Sequence, residues 1–293
     1  MVHSTWGDWF VRDEVEAVEP DGLSIWYLGC NGYVLRTPET TVYLDPYFGD
    51  GTPPRTIRMI PVPMDPADAT QCDAVFVTHE HIDHMHPPSY GPLVEDLGAD
   101  VYAPEASYDQ ADYDGEMRVP DDRKHVVDVG QDVEVGDLSI HVRGSNDPDA
   151  IDPVSYVVEH DSGTFFAAGD SRPAEAFSDI ADEFDIDLGV LAYGTVGNIY
   201  HDEDDPTATY PTDWYNDGDQ VVEAANDLEL DRLAPVHWDM WKNVGADPKA
   251  IAEYAASYAF PRVVETISIG DRLDIDRPGV VGFRDLRESQ HRT

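Results

Sequence analysis

Lysine is nearly missing from this 293-residue chain: Lys124, Lys242 and Lys249 stand beside 15 Arg and against 60 acidic residues. No basic stripe exists that could neutralise phosphates along a nucleic acid, so no nucleic-acid partner is expected. Long apolar runs are missing too. Those around Val75 and Phe165 fall far short of the ~18 residues that a membrane span takes, so no membrane partner is expected. No charged and apolar leader pair opens the sequence, and a cytoplasmic location is expected. Cysteine is down to Cys30 and Cys72, 42 positions apart. That excludes a disulfide framework and a C-x-x-C metal knuckle, and both are expected as small buried or half-buried residues.

What is abundant is acid. The chain carries 42 Asp and 18 Glu, for a formal charge of −42. In dilute buffer such a surface repels itself, whereas at molar salt the screening length falls to about 3 Å. The composition therefore resembles that of halophilic proteins. Hydrophobic residues make up 41% of the chain and aromatics 10%, enough for a sizeable core, so the charge does not imply disorder.

The stretch up to about Pro20 has no clean period, although Trp6, Trp9 and Phe10 could pack onto the body. From Gly22 three β-rich runs are divided by Cys30-Asn31-Gly32 and by Pro38-Glu39, which are hairpin signals. Residues 46–66 are rich in Gly and Pro and predict a long irregular surface loop. Asp73–Thr78 reads as a buried strand. Beyond it come a short helix at 89–96, a strand at 101–104, a helix from Glu105, and strands near residues 125–129, 132–135 and 138–142. A second series follows, with strands at 153–160, 164–168, 187–194 and 232–237. Helices are expected near 174–183, 219–228 and 248–258, and a strand at 262–269 closes the body. Two sheets packed face to face and covered by helices are the layered solution for this order. No linker or repeat divides the chain, so a single domain over 1–293 is expected, with its core at about 22–269. The loops at 46–66 and 198–215 carry no readable motif.

The chemistry concentrates in Thr78-His79-Glu80-His81-Ile82-Asp83-His84. A strand that ends in His at i, i+2 and i+5 with a carboxylate at i+4 offers four donors within a few ångströms. Neutral imidazole and carboxylate suit Zn²⁺, Mn²⁺ or Fe²⁺. His79 and His81 leave an extended segment toward one side, while Asp83 and His84 lie past the bend, so two ions with separate ligand sets are more natural than one. As mere capping or core residues, the cluster would leave several costly polar groups unexplained. Asp170, in Gly169-Asp170-Ser171 after an apolar run, is either a metal bridge or a turn residue before Pro173; beside the histidine cluster the ligand reading leads. His237, at a strand end before Trp238-Asp239-Met240-Trp241, alone reads as a packed surface residue. Within this set it becomes the last ligand.

This constellation resembles the metallo-β-lactamase superfamily. Trp26–Gly32, Ala168–Ser171, Ala192–Gly194, Pro235–Lys242 and Ala246–Pro248 are further similar to its L-ascorbate-6-phosphate lactonase branch, over roughly residues 22–269. The resemblance implies an α/β fold, the αββα four-layer sandwich. It implies that His79 and His81 hold a first metal, that Asp83, His84 and His237 hold a second, and that Asp170 bridges both. Where many relatives place a further His, this chain has Asn146 and Asp147; Asp147 or Asn146 could coordinate, and His141 is expected as packing. A first site with fewer nitrogens shifts the expected ion toward Mn²⁺ without excluding Zn²⁺. His81 stands where flavodiiron relatives carry Glu, which favours hydrolysis over redox chemistry.

The activity implied is that of a metal-dependent hydrolase with one or two divalent ions, in which hydroxide attacks a lactone or ester of a small anionic substrate. Asp83 and Asp170 are its candidate catalytic residues, with Asp83 orienting the nucleophile or shuttling the proton. Tyr193, Lys242 and Arg172, adjacent to ligand segments, are candidate substrate contacts, Lys242 reading equally as a surface charge. Relatives commonly assemble, so a homo-oligomer is expected. A phosphodiesterase or nuclease on the same scaffold is an alternative, although such enzymes normally carry a basic exosite or an added domain. A non-enzymatic metal-binding homologue is another, and predicts one ion or none.

Overall fold

Apolar residues on both sides of the first strand already demand two partners. In β1 (Leu23–Gly29), Leu23, Ile25 and Tyr27 enter one buried cluster while Trp26 and Leu28 enter another. The computed structural model, which describes residues 2–113, 117–200, 205 and 208–287, supplies both. β1 pairs antiparallel with β2 (Gly32–Arg36), and β2 with β3 (Thr41–Leu44). β4 (Ala74–Phe76), β5 (Asp100–Ala103) and β6 (Lys124–Val126) add on in parallel. Helices α1 (Pro87–Leu97) and α2 (Glu105–Gln110) connect them. α1 opens on Pro87, whose missing N–H costs nothing in a first turn, and stops at Gly98, left-handed at φ 75°.

The second sheet begins as an antiparallel meander of β7 (Asp132–Val135), β8 (Leu138–Gly144), β9 (Val154–His160) and β10 (Gly163–Ala167). β11 (Leu188–Ala192) continues it in parallel beyond α3 (Ala176–Glu183). A small hairpin, β12 (Gly197–Tyr200) and β13 (Thr209–Thr212), and α4 (Gly218–Asp227) precede β14 (Arg232–Val236). α5 (Ile251–Ala255) leads to β15 (Val263–Val264) at that sheet's edge. β16 (Arg272–Arg277) and β17 (Val280–Arg284) then return to the first sheet, β16 beside β1. The strand orders are 17-16-1-2-3-4-5-6 and 15-14-11-10-9-8-7.

Between the sheets, Ile25, Tyr33, Leu44 and Phe76 meet Ile140, Tyr156, Phe165 and Val190. The outer face of the first sheet is covered by Tyr90, Leu93 and Val94 of α1, together with Phe10, Val11 and Val15 of a helical turn at Phe10–Val15. That of the second is covered by Phe177 and Ile180 of α3, Val221 and Ala225 of α4, and Ile251 of α5. The layers are therefore helix, sheet, sheet, helix, as expected. Among the described residues no helix is long and apolar enough to cross a membrane.

Three expectations change. The chain does not close with a strand at 262–269, since β15 has two residues; the closing hairpin is β16–β17, beyond the expected core limit of about 269. In β16 only Leu273 and Ile275 turn inward, between charged neighbours, a weak apolar signal; Val281 of β17 packs beside them. The 46–66 segment is irregular as predicted, yet Tyr47, Phe48, Val62 and Met64 are buried, so it packs into the molecule. In the 198–215 loop, β12 and β13 are formed, while 201–204 and 206–207 lie outside the described residues.

Candidate metal centre

The topology delivers the donors to one edge. β1, β3 and β4 run in one direction, as do β8, β10 and β14 in the other sheet. Each ends in a polar residue one to three positions on: Cys30 after β1, Asp45 after β3, His79 after β4, Asp147 after β8, Asp170 after β10 and His237 after β14. Strand ends free their side chains from ladder packing, so this edge can gather groups distant in sequence. Gly169 makes one of the turns possible. Its φ is +59°, and a β-carbon there would lie 2.9 Å from Thr78 Oγ1.

Two groups of donors result, each with ligand atoms within 4.8 Å of one another. The first is His79, His81, Asp147 and Asp170; the second is Cys30, Asp83, His84 and His237. Asp147 Oδ2 lies 3.4 Å from His79 Nε2 and 3.5 Å from His81 Nδ1. Asp83 Oδ2 lies 3.3 Å from His237 Nε2. Asp170 stands between the groups, with Oδ2 3.4 Å from His84 Nε2 and Oδ1 3.8 Å from His237 Nε2. Asn31 Nδ2 donates to Asp170 Oδ1 at 2.6 Å and fixes its orientation.

A ring of supporting contacts sets which nitrogen faces inward. His84 Nδ1 lies 2.8 Å from Asp45 Oδ2, leaving Nε2 for the interior. Asp45 is itself held by the Thr78 N–H and hydroxyl, at 2.8 and 2.7 Å. His81 Nε2 faces the Asp149 carbonyl at 3.3 Å, and His79 Nδ1 faces Thr78 Oγ1 at 2.9 Å. The Tyr215 ring packs 4.1 Å from that of His237, and Trp241 Nε1 donates to Asp83 at 3.4 Å. Such outer partners orient metal ligands and fix their tautomers. Left-handed backbone at non-glycine residues also gathers here: Cys30 at φ 58°, Asp45 at 42° and His237 at 66°. Conformations of that kind persist where surrounding structure over-determines them.

The residues fit divalent ions. His84 Nε2 and Asp147 Oδ2 are buried with no hydrogen-bond partner, and both point into their groups. Their polar neighbours at 3.4 and 3.5 Å lack hydrogen-bond geometry and leave part of the desolvation cost uncompensated. The electrostatics agree. Burial, with the charge of Asp170, pushes the Asp147 carboxyl up to about 6. Burial, with the neighbouring His84 and His81, pushes His79 far below the usual imidazole range. Burial also opposes a charge on His84, yet Asp170 and Asp45 outweigh it and hold that imidazole high. Burial together with Asp83 and Asp170 drives the Cys30 thiol up. A bound cation inverts this balance, since it favours carboxylate, thiolate and neutral imidazole at once.

All seven expected ligands thus converge, Asp83 and Asp170 among them. Of the two open alternatives, Asp147 enters the first group, whereas Asn146 turns away to donate to the Pro173 carbonyl. His141 is bound between Asp132 and Glu159 at 2.8 and 2.9 Å. The expected substrate contacts fare differently. Tyr193 packs into the helix-covered outer cluster, because one residue past β11 its side chain points to that face. The Arg172 guanidinium donates to the Asp213 carbonyl at 2.8 Å. Lys242 is exposed, its N–H on the Ile57 carbonyl. Cys30, expected only as a buried residue, sits 3.0 Å from His237. Asp45 was missed, although a carboxylate ending an apolar strand is the same signal that flagged Asp170.

A four-layer sandwich with two donor groups at one edge of its sheets defines the class: the metallo-hydrolase fold. Residues 40–238 match the profile of the beta-lactamase superfamily domain, and the chain belongs to that family. A curated relative from Escherichia fergusonii, named "Probable L-ascorbate-6-phosphate lactonase", is 27% identical over 84% of this chain and 78% of its own. A metallo hydrolase from Ignicoccus hospitalis shares the fold with a TM-score of 0.61 at 15% identity, covering 90% of this chain and 99% of that one. A metallo-beta-lactamase fold protein of Bacillus subtilis does so at 0.58 and 16%, covering 90% and 100%.

Proposed function

We propose that this protein is a hydrolase with a binuclear metal centre, opening a lactone or ester in a small anionic substrate. The observation that carries the reading is Asp170, placed between two separate donor groups. When bound, divalent ions supply Lewis acidity there, acidifying water and polarising the substrate carbonyl. The chain's own residues do the rest. Asp170, held by Asn31, keeps the two groups in register. Asp83, anchored by Trp241, presents a carboxylate that can orient water or take up its proton. Asp45 and Thr78 keep His84 in the tautomer that faces inward.

Support for an anionic substrate comes from the placement of scarce cations. The bridge between Arg58 and Trp241 lays the 55–58 segment against Lys242, and Trp241 itself reaches Asp83. Arg58 is consumed by backbone carbonyls of the same loop, while Lys242 is exposed and Arg55 lies over the Trp214 ring. Lys242 and Arg55 are the proposed anion contacts, in place of Arg172 and Tyr193. The curated relative's name points to a phosphorylated sugar lactone as the substrate type. The charge of −42 supports a working medium of molar salt. A cytoplasmic location and assembly as a homo-oligomer complete the proposal.

Metal-reconstituted protein in molar KCl, offered sugar lactones, their phosphorylated forms and phosphodiesters, tests this. Turnover of phosphorylated lactones, lost on metal stripping and restored by Mn²⁺ or Zn²⁺, is expected. Turnover of phosphodiesters alone would overturn the lactonase reading in favour of a phosphodiesterase.

A further inference from the structure

Cys30 occupies the turn between β1 and β2 in left-handed backbone, a conformation that side-chain-bearing residues adopt at a cost. It is fully buried. Its Sγ lies 3.0 Å from His237 Nε2 and 3.5 Å from Asp83 Oδ2. As a thiol, Cys30 can donate to Asp83 and accept from an Nε2–H of His237, so hydrogen bonding alone does not exclude a neutral thiol here. The spacing also matches the edges of a coordination shell. Donors held at zinc distances of about 2.0–2.3 Å in tetrahedral geometry stand roughly 3.3–3.7 Å apart. The Asp83–His237 separation of 3.3 Å and the Cys30–Asp83 separation of 3.5 Å fall in that range, and Cys30–His237 lies just below it. An independent observation points to the same place: His84 Nε2, fully buried and without a hydrogen-bond partner, belongs to this group.

We propose that the Cys30 thiolate is a protein ligand of the second metal pocket, together with Asp83, His84 and His237. This rests on the metal-centre reading above and adds the identity of the ion. Binding breaks the S–H bond, forms a sulfur–metal bond and sends the proton to solvent. Thiolate is a soft ligand that selects zinc and its thiophilic neighbours, whereas imidazole and carboxylate also accommodate Mn²⁺. The second pocket therefore takes zinc in preference to manganese, and the first pocket, with no sulfur, does not discriminate in this way.

Titration of metal-stripped protein with Co²⁺ in molar KCl, followed by absorbance and elemental analysis, tests it. An intense near-ultraviolet sulfur-to-cobalt charge-transfer band is expected in the wild type and in Cys72→Ser, and is expected to vanish in Cys30→Ser. About two bound Co²⁺ per chain with no such band, or a band that survives Cys30→Ser, would overturn the thiolate ligand and leave the binuclear centre standing. No bound Co²⁺ would overturn both. Zinc-edge X-ray absorption on wild-type protein needs no variant to fold. A sulfur scatterer at about 2.3 Å supports the proposal, and a shell of nitrogen and oxygen alone refutes it.

Discussion

The two pockets of the centre have equal numbers of donors, and differ in donor type and in the exposure of one residue. His79, His81, Asp147 and Asp170 offer nitrogen and oxygen, and the His81 side chain is 34% exposed. Cys30, Asp83, His84 and His237 are all buried, and Asp45, Tyr215 and Trp241 press on them from outside. One end of one fold thus builds a more open pocket of nitrogen and oxygen donors, reached by solvent at His81, and an enclosed one that includes sulfur. The difference predicts a division of labour: the pocket that His81 opens should exchange its ion with solvent more readily, and the enclosed pocket should hold its ion by pre-set geometry.

The largest effect should come from the residue the pockets share. Asp170→Ala is expected to lower kcat about a thousandfold or more, since losing Lewis-acid stabilisation is worth several kcal/mol. A variant that keeps wild-type turnover would remove the link between the pockets. Next, Asp45→Asn should weaken binding in the enclosed pocket about 10–100-fold, the usual loss when an outer partner of a ligating His is removed. Chelator competition should show the open pocket unchanged, and equal losses in both would break the comparison. The open pocket has its own signature in pH. Asp147, at about 6, must shed its proton to bind an ion, so below that pH the proton competes. Affinity there should fall about tenfold per pH unit for each proton displaced, and an affinity flat between pH 4 and 6 would contradict this.

Smaller effects concern the frame. Gly169→Ala places a β-carbon at positive φ against Thr78, and denaturant unfolding should show a loss of about 1–2 kcal/mol from the backbone alone. Smallest of all, Tyr193→Phe should leave turnover unchanged, because the Tyr193 side chain packs on the helix-covered face of the sheet; a large drop in kcat would return Tyr193 to the site.

Much of this was legible in the sequence where the signal was local. His79, His81, Asp83 and His84 declare themselves because four donors follow one strand end within six positions. The two-sheet core was readable because β1 to β4 and β8 to β11 are short, apolar and bounded by turns. What escaped was carried by single residues whose partners are remote. Cys30 meets His237 across 207 positions, and Asp45 meets His84 across 39. Nothing in Cys30-Asn31-Gly32 distinguishes a turn from a metal ligand until parallel strand directions bring the ends together. Tyr193 failed for the opposite reason: it is near the ligand segments in sequence, but its side chain leaves from the other face of the sheet. The β16–β17 hairpin escaped because Arg and Asp alternate with the two apolar residues of β16 and leave a weak strand signal.

Elemental analysis of purified protein kept in molar salt tests the central claim most directly, comparing wild type with His81→Ala and His237→Ala. The two-pocket account predicts about two divalent ions per chain in the wild type, and about one in each variant. A wild type that binds one ion or none, or variants that keep the wild-type count, would contradict it.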